Sequence, residues 1–271
     1  MLVSSAACFP EAEQGSHQTG EDVRDETAHR EATNTIERTS ALTHPEGSTV
    51  RQESAAATDA PVSWDYVALG DSLAVGVGAK RGYVIRYASY IAADTGAHIN
   101  LVNLGRNGQT SSQLLHAIRN DLTMRQALGT AEVITFNIGI NDLGHAGEAY
   151  ENGACGGSDN QECLRAAVET FKENWDAIIA ELISLRSTEN AIIRTAGIGY
   201  TPRVDKIFEP YVDEVNHHIA TTAANHDIPY AQPRLGEEYM SPDGVHPNDG
   251  GYEVIADQLR ERGYGPLSSP R

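Results

Sequence analysis

The sequence predicts an α/β protein with a parallel sheet covered by helices on both faces. Five short apolar runs of strand length recur along the chain, and stretches with helical spacing lie between them. In the third of those stretches Leu164, Val168, Phe171, Trp175, Ile178, Leu182 and Leu185 form one stripe at three- and four-residue steps.

In chain order, the first strand is expected over residues 65–69, where Tyr66, Val67, Ala68 and Leu69 run into Gly70, Asp71 and Ser72. A helix near 83–95 follows, then a strand over 99–104 that runs out into Gly105 and Gly108. A helix over 111–122 leads to a strand over 132–138, which runs out into a turn carrying Gly139, Asn141 and Asp142. After the striped helix at 164–186 come a strand at 191–196, a helix at 208–226, a strand at 228–231 and a last helix near 250–262. In parallel sheets of this kind, sites form where the strands end. Ser72, Gly108 and Asn141 all fall at such ends, and the segment around His246 falls there less directly.

Composition divides the 271 residues in two. Residues 11–60 contain no Phe, Trp or Tyr, too little apolar surface to offset chain entropy. Residues 1–61 are therefore read as a disordered leader or tether, and residues 62–271 as one domain whose order begins around Trp64. A formal net charge of -18 argues against nucleic-acid binding, because phosphates would be repelled. No stretch approaches the roughly 20 apolar residues of a membrane helix.

Three cysteines bear on compartment. Cys155 and Cys163 bracket a Gly/Asp/Asn-rich loop with no histidine at ligand spacing, which favours a local disulfide over zinc and an extracytoplasmic location. At the N-terminus, Ser4-Ser5-Ala6-Ala7-Cys8 resembles the end of a bacterial lipoprotein signal, which makes Cys8 a candidate lipid anchor tethering the domain to a membrane. Ser5 stands where such signals carry an aliphatic residue, so an ordinary free cysteine is the competing reading.

The strand ends carry a chemical pattern. A serine nucleophile is weak at neutral pH and needs a base within hydrogen-bond reach, a role suited to histidine. A carboxylate then fixes the ring tautomer and stabilises the imidazolium. Asp243 and His246, three residues apart in a turn, supply both. Glycine N–H groups and an asparagine amide are suitable donors to a developing oxyanion.

Gly-Asp-Ser-Leu at 70–73, the glycine of the Asn-Gly-Gln-Thr-Ser run at 107–111, Gly-Ile-Asn-Asp at 139–142 and Asp-Gly-Val-His-Pro at 243–247 resemble, in order, the four sequence blocks of the SGNH hydrolases, also called GDSL esterases and lipases. The resemblance extends from Trp64 to about Gly263. It implies a three-layer α/β/α sandwich of flavodoxin-like type with a five-stranded parallel sheet. It also implies hydrolysis of carboxylic esters or thioesters through an acyl-enzyme, with no metal or other cofactor. Ser72 is then nucleophile and oxyanion donor, Gly108 and Asn141 are further donors, His246 is base and acid, and Asp243 orients it. Gly105 is the fallback for Gly108. The substrate is expected to be a small-molecule, lipid or carbohydrate ester.

Each residue also has a plainer reading. Ser72 could cap a helix, Asn141 and Asp142 could be Asx-turn residues, Asp71 could accept backbone donors around its turn, and His246-Pro247 could mark a helix start. His145 is placed near the site by proximity alone, and His217 and His218 are read as surface or packing residues. The glycine run from Gly76 to Gly82 resembles a dinucleotide loop, but its glycines are spaced wrongly for one. A catalytically inactive binding module on the same fold is the alternative to an enzyme.

Overall fold

The computed structural model describes residues 62–198 and 206–267. The leader over 1–61 and Cys8 lie outside the described residues. Five strands form one sheet: β1 (Ser63–Gly70), β2 (His98–Asn103), β3 (Val133–Asn137), β4 (Ile192–Ala196) and β5 (Tyr230–Ala231). Every pairing is parallel and the order is β2-β1-β3-β4-β5, so β1 lies inside the sheet beside β3.

The helices are α1 (Ser72–Val75), α2 (Tyr83–Thr95), α3 (Ser111–Asn120), α4 (Leu122–Thr130), α5 (Ile140–Glu151), α6 (Glu162–Leu185), α7 (Glu209–Asn225) and α8 (Asp249–Glu261). Alternation along the strands sorts them into layers. Tyr66 and Ala68 of β1 pack with Tyr83, Tyr87 and Ile91 of α2 and Tyr252, Ile255 and Leu259 of α8. Val67 and Leu69 point the other way, into a larger core with Leu114 and Ile118 of α3, Phe171 and Trp175 of α6 and Val215 and Ile219 of α7. The expected three-layer α/β/α sandwich is therefore present. The stripe on α6 supplies much of the larger core, where the Trp175 ring stacks on Phe136 of β3 at 5.1 Å between centroids.

Three helices depart from the sequence reading, the first being α1, a single turn of four residues. α4 is short, and its nine residues give little period; Asp121 starts it by accepting the N–H groups of Thr123 and Met124. α5 occupies the segment after β3, so Asn141 and Asp142 stand in the first turn of a helix rather than on a turn. Its two glycines and early Asn-Asp pair conceal it, yet tertiary packing holds it, with Leu143 and Ala146 in the core. The last strand is also shorter than expected, at two residues.

Candidate active site

β1 delivers Ser72. As the strand ends, Asp71 becomes the cap of α1, its Oδ1 accepting the Leu73 N–H at 2.9 Å. The cap is thus Asp71 and not Ser72, whose hydroxyl is left for other work at the first position of the helix. Asp71 is fully buried, and burial pushes its carboxyl up to about 6 although the Leu73 hydrogen bond opposes this.

The loop before α8 delivers His246. His246 Nε2 lies 2.9 Å from Ser72 Oγ, and His246 Nδ1 lies 2.7 Å from Asp243 Oδ2. A carboxylate can only accept, so Nδ1 carries the hydrogen and Nε2 is free to accept the Ser72 proton. Asp243 Oδ1 accepts from the Ser241 hydroxyl at 2.7 Å and from the N–H groups of Val245 at 2.8 Å and His246 at 2.9 Å. Partial burial alone would raise this carboxyl, but the bonds from His246, Ser241 and Val245 outweigh it and hold Asp243 well below the usual carboxylate range. A second face of the loop is fixed by Ser241 N–H donating to His246 O at 2.7 Å.

The remaining predicted residues come from the ends of β2 and β3. Gly105 N–H already donates to Asn103 Oδ1 at 3.0 Å, while Gly108 N–H has no acceptor among the described residues. That difference favours Gly108, at φ +70°, over its fallback. Asn141 Nδ2 donates to Gln109 O at 2.9 Å and approaches Asp71 Oδ2 at 3.4 Å. Its amide thereby touches both the segment holding Gly108 and the residue preceding Ser72. Asp142 is not an Asx-turn residue: it accepts from Ser111 N–H at 2.9 Å and from Ser111 Oγ at 2.5 Å, tying the first turn of α5 to that of α3. Asn174 of α6 donates to the same hydroxyl at 3.0 Å. Gln109 and Ser111 stand in the run at 107–111 and Asn174 on the striped helix, but the sequence reading gives none of them a part in the site, because their partners are 31 or more positions away.

Cys155 and Cys163 form the expected disulfide, which joins the segment after α5 to the first turn of α6. His218 meets Asp176 on the surface at 2.7 Å and takes no part in the site. No cluster of three or more potential metal ligands occurs among the described residues. None of the described helices is long and apolar enough to cross a membrane.

A sequence model of the GDSL-like lipase/acylhydrolase family matches residues 68–254. The spore germination lipase LipC of Bacillus licheniformis is 28% identical over 213 residues, covering 74% of this chain and 97% of that protein. Among solved structures, the lipase Lip_vut3 from a goat rumen metagenome superposes with a TM-score of 0.67 at 25% identity, covering 76% of this chain and all of that one. A catalytic mutant of Axe2, an acetylxylan esterase from Geobacillus stearothermophilus, shares the fold with a TM-score of 0.57 at 16% identity, covering 78% of this chain and 98% of that one.

Proposed function

Because the chain belongs to the GDSL-like lipase/acylhydrolase family, and is thereby a carboxylic ester hydrolase, we propose that it works by two-step acyl transfer through Ser72. The observation that carries this reading is the unbroken line from Ser72 Oγ to His246 Nε2 and from His246 Nδ1 to Asp243. His246 removes the Ser72 proton as Oγ bonds to the ester carbonyl carbon, and the carbonyl oxygen takes the negative charge. The N–H groups of Ser72 and Gly108 and the Asn141 amide receive that oxyanion. The C–O bond to the alcohol then breaks, and the alcohol leaves with the proton held on His246. Water, deprotonated by the same ring, attacks the acyl carbon; the C–Oγ bond breaks, Ser72 Oγ takes the proton back from His246, and the acid is released. Throughout, Asp243 remains a carboxylate that balances the imidazolium.

Short acyl groups suit the surroundings. Val75, the last residue of the Ser72 helix, and Val245, next to His246 in the chain, are exposed apolar side chains, and the segment 142–163 carries no long apolar run. A disulfide between Cys155 and Cys163 supports an oxidising, extracytoplasmic location.

The test pairs turnover with labelling. Wild type should hydrolyse p-nitrophenyl acetate faster than its longer-chain homologues and should be labelled on Ser72 by a fluorophosphonate, whereas Ser72→Ala should do neither. Absence of both in folded wild type would leave an inactive binding module, and a sharp preference for long chains would reverse the substrate reading.

A further inference from the structure

The glycine run Gly76-Val77-Gly78-Ala79-Lys80-Arg81-Gly82 is not used by the mechanism above, and nothing in a dinucleotide reading accounts for it. Its two ends are pinched together. A Cβ on Gly76 would stand 2.9 Å from the Gly82 Cα, and one on Gly82 would stand 2.6 Å from the Gly76 Cα. The run is therefore a closed loop that projects from α1, and its tip lies on the histidine segment. At Gly78, with φ +91°, a Cβ would meet Pro247 O at 2.7 Å and His246 Cβ at 2.9 Å.

Hydrogen bonds fasten the loop there. Val77 O accepts from the buried Tyr252 hydroxyl at 2.7 Å. Asp249 Oδ2 accepts the Lys80 N–H at 3.3 Å, and its Oδ1 accepts the Arg81 N–H at 3.1 Å. Arg86 adds a charged bond to Asp249 Oδ1 at 2.9 Å and donates from Nε to Arg81 O at 3.0 Å. Asp249 follows His246 by three residues, and Gly76 follows Ser72 by four. Two segments some 170 positions apart in the chain are thus stitched together immediately beyond the nucleophile and immediately beyond the base.

The geometry points to this clasp as the device that sets the separation of Ser72 and His246, with Gly78 as the spacer and Asp249 and Tyr252 as positioning residues. The inference rests on the catalytic roles given above to Ser72 and His246. None of the three touches the reacting atoms; they act through the imidazole. A reacting geometry displaced by about 1 Å can cost on the order of 100-fold in rate, so small slippage of this contact has a large readout.

The experiment compares Asp249→Ala, Asp249→Asn, Tyr252→Phe and Gly78→Ala in the full chain, well below each variant's Tm. It measures kcat and KM for p-nitrophenyl acetate together with the rate of fluorophosphonate labelling of Ser72. Asp249→Ala should lower kcat and labelling in parallel by roughly tenfold, with KM within about twofold, because activation of the hydroxyl suffers and ground-state binding does not. Asp249→Asn retains one acceptor oxygen and should recover part of the loss. Tyr252→Phe should cost a few-fold, and Gly78→Ala should approach the ~100-fold limit if it folds. The Asp249 series decides the matter if Gly78→Ala does not fold. Wild-type kcat and labelling in folded Asp249→Ala and Tyr252→Phe, or a change confined to Tm or KM, would overturn the clasp. If wild type itself is not labelled on Ser72, the catalytic reading falls first and the clasp falls with it.

Discussion

The two halves of the site are prepared to different degrees. On the triad side, Ser72, His246 and Asp243 already stand at 2.9 and 2.7 Å from one another. On the oxyanion side, the Asn141 amide is engaged with Gln109 O at 2.9 Å and faces Asp71 at 3.4 Å. Under the proposed mechanism, the proton path is therefore assembled before substrate arrives. The Asn141 amide, by contrast, must share or exchange an internal bond when charge develops. Interactions that strengthen only at that moment raise kcat and leave KM largely alone. Triad substitutions should thus remove an assembled device, whereas an Asn141 substitution should remove a contingent one.

The largest effect belongs to the assembled half. Ser72→Ala or His246→Ala should each reduce kcat by about 10⁵–10⁶, and the double variant should lose little more, because the two residues act as a unit. Additive losses would break the idea that they form one device. Asp243→Asn should follow with a loss of about 10⁴ in kcat, since a carboxamide no longer secures the ring tautomer or balances its charge. Retention of near wild-type kcat there would remove Asp243 from the site. On the contingent half, Asn141→Ala should lower kcat by roughly 10²–10³ with KM nearly unchanged, a loss of about 2.7–4 kcal/mol in transition-state stabilisation. An effect mainly on KM would erase the distinction between the halves.

Asp71 lies between the halves, with one oxygen on the α1 cap and the other toward Asn141. Its folded-state pKa of about 6 stands above the ordinary value of 3.8, chiefly through burial. The folded protein therefore holds this proton more tightly than the unfolded chain does, and the buried charge weakens the fold above about pH 6. Relative to Asp71→Asn, wild type should gain about 2–3 kcal/mol of stability as pH falls from 7 to 4. Denaturant midpoints across that range measure it; a flat difference would mean that Asp71 is not a strained buried acid.

Much of this was legible in the sequence for physical reasons. β3, β4 and most of β1 are buried on both faces, so they read as mainly apolar runs even with Thr135, Arg194 and Thr195 inside them, and α6 is amphipathic over 24 residues. Asp243 and His246 were legible because their contact is local, closing over three residues. α5 was hidden because propensity argues against a helix with Gly144, Gly147 and an early Asn-Asp pair, and only packing and the Asp142–Ser111 tie overrule it. The partners of Asn141 were hidden for the same reason: a backbone carbonyl 32 positions away has no sequence signature. The glycine run was visible and its spacing wrong for a phosphate; the structure supplies the reason for the glycines, Gly76 packing on Gly82 and Gly78 on the His246–Pro247 segment.

Asp243 anchors the backbone N–H and the ring of His246 within one three-residue turn. The proposed acid–base partner and its orienting carboxylate thus form a single cassette. The geometry between ring and carboxylate is therefore set inside the turn, and only the 2.9 Å contact from Nε2 to Ser72 Oγ depends on where the turn is seated.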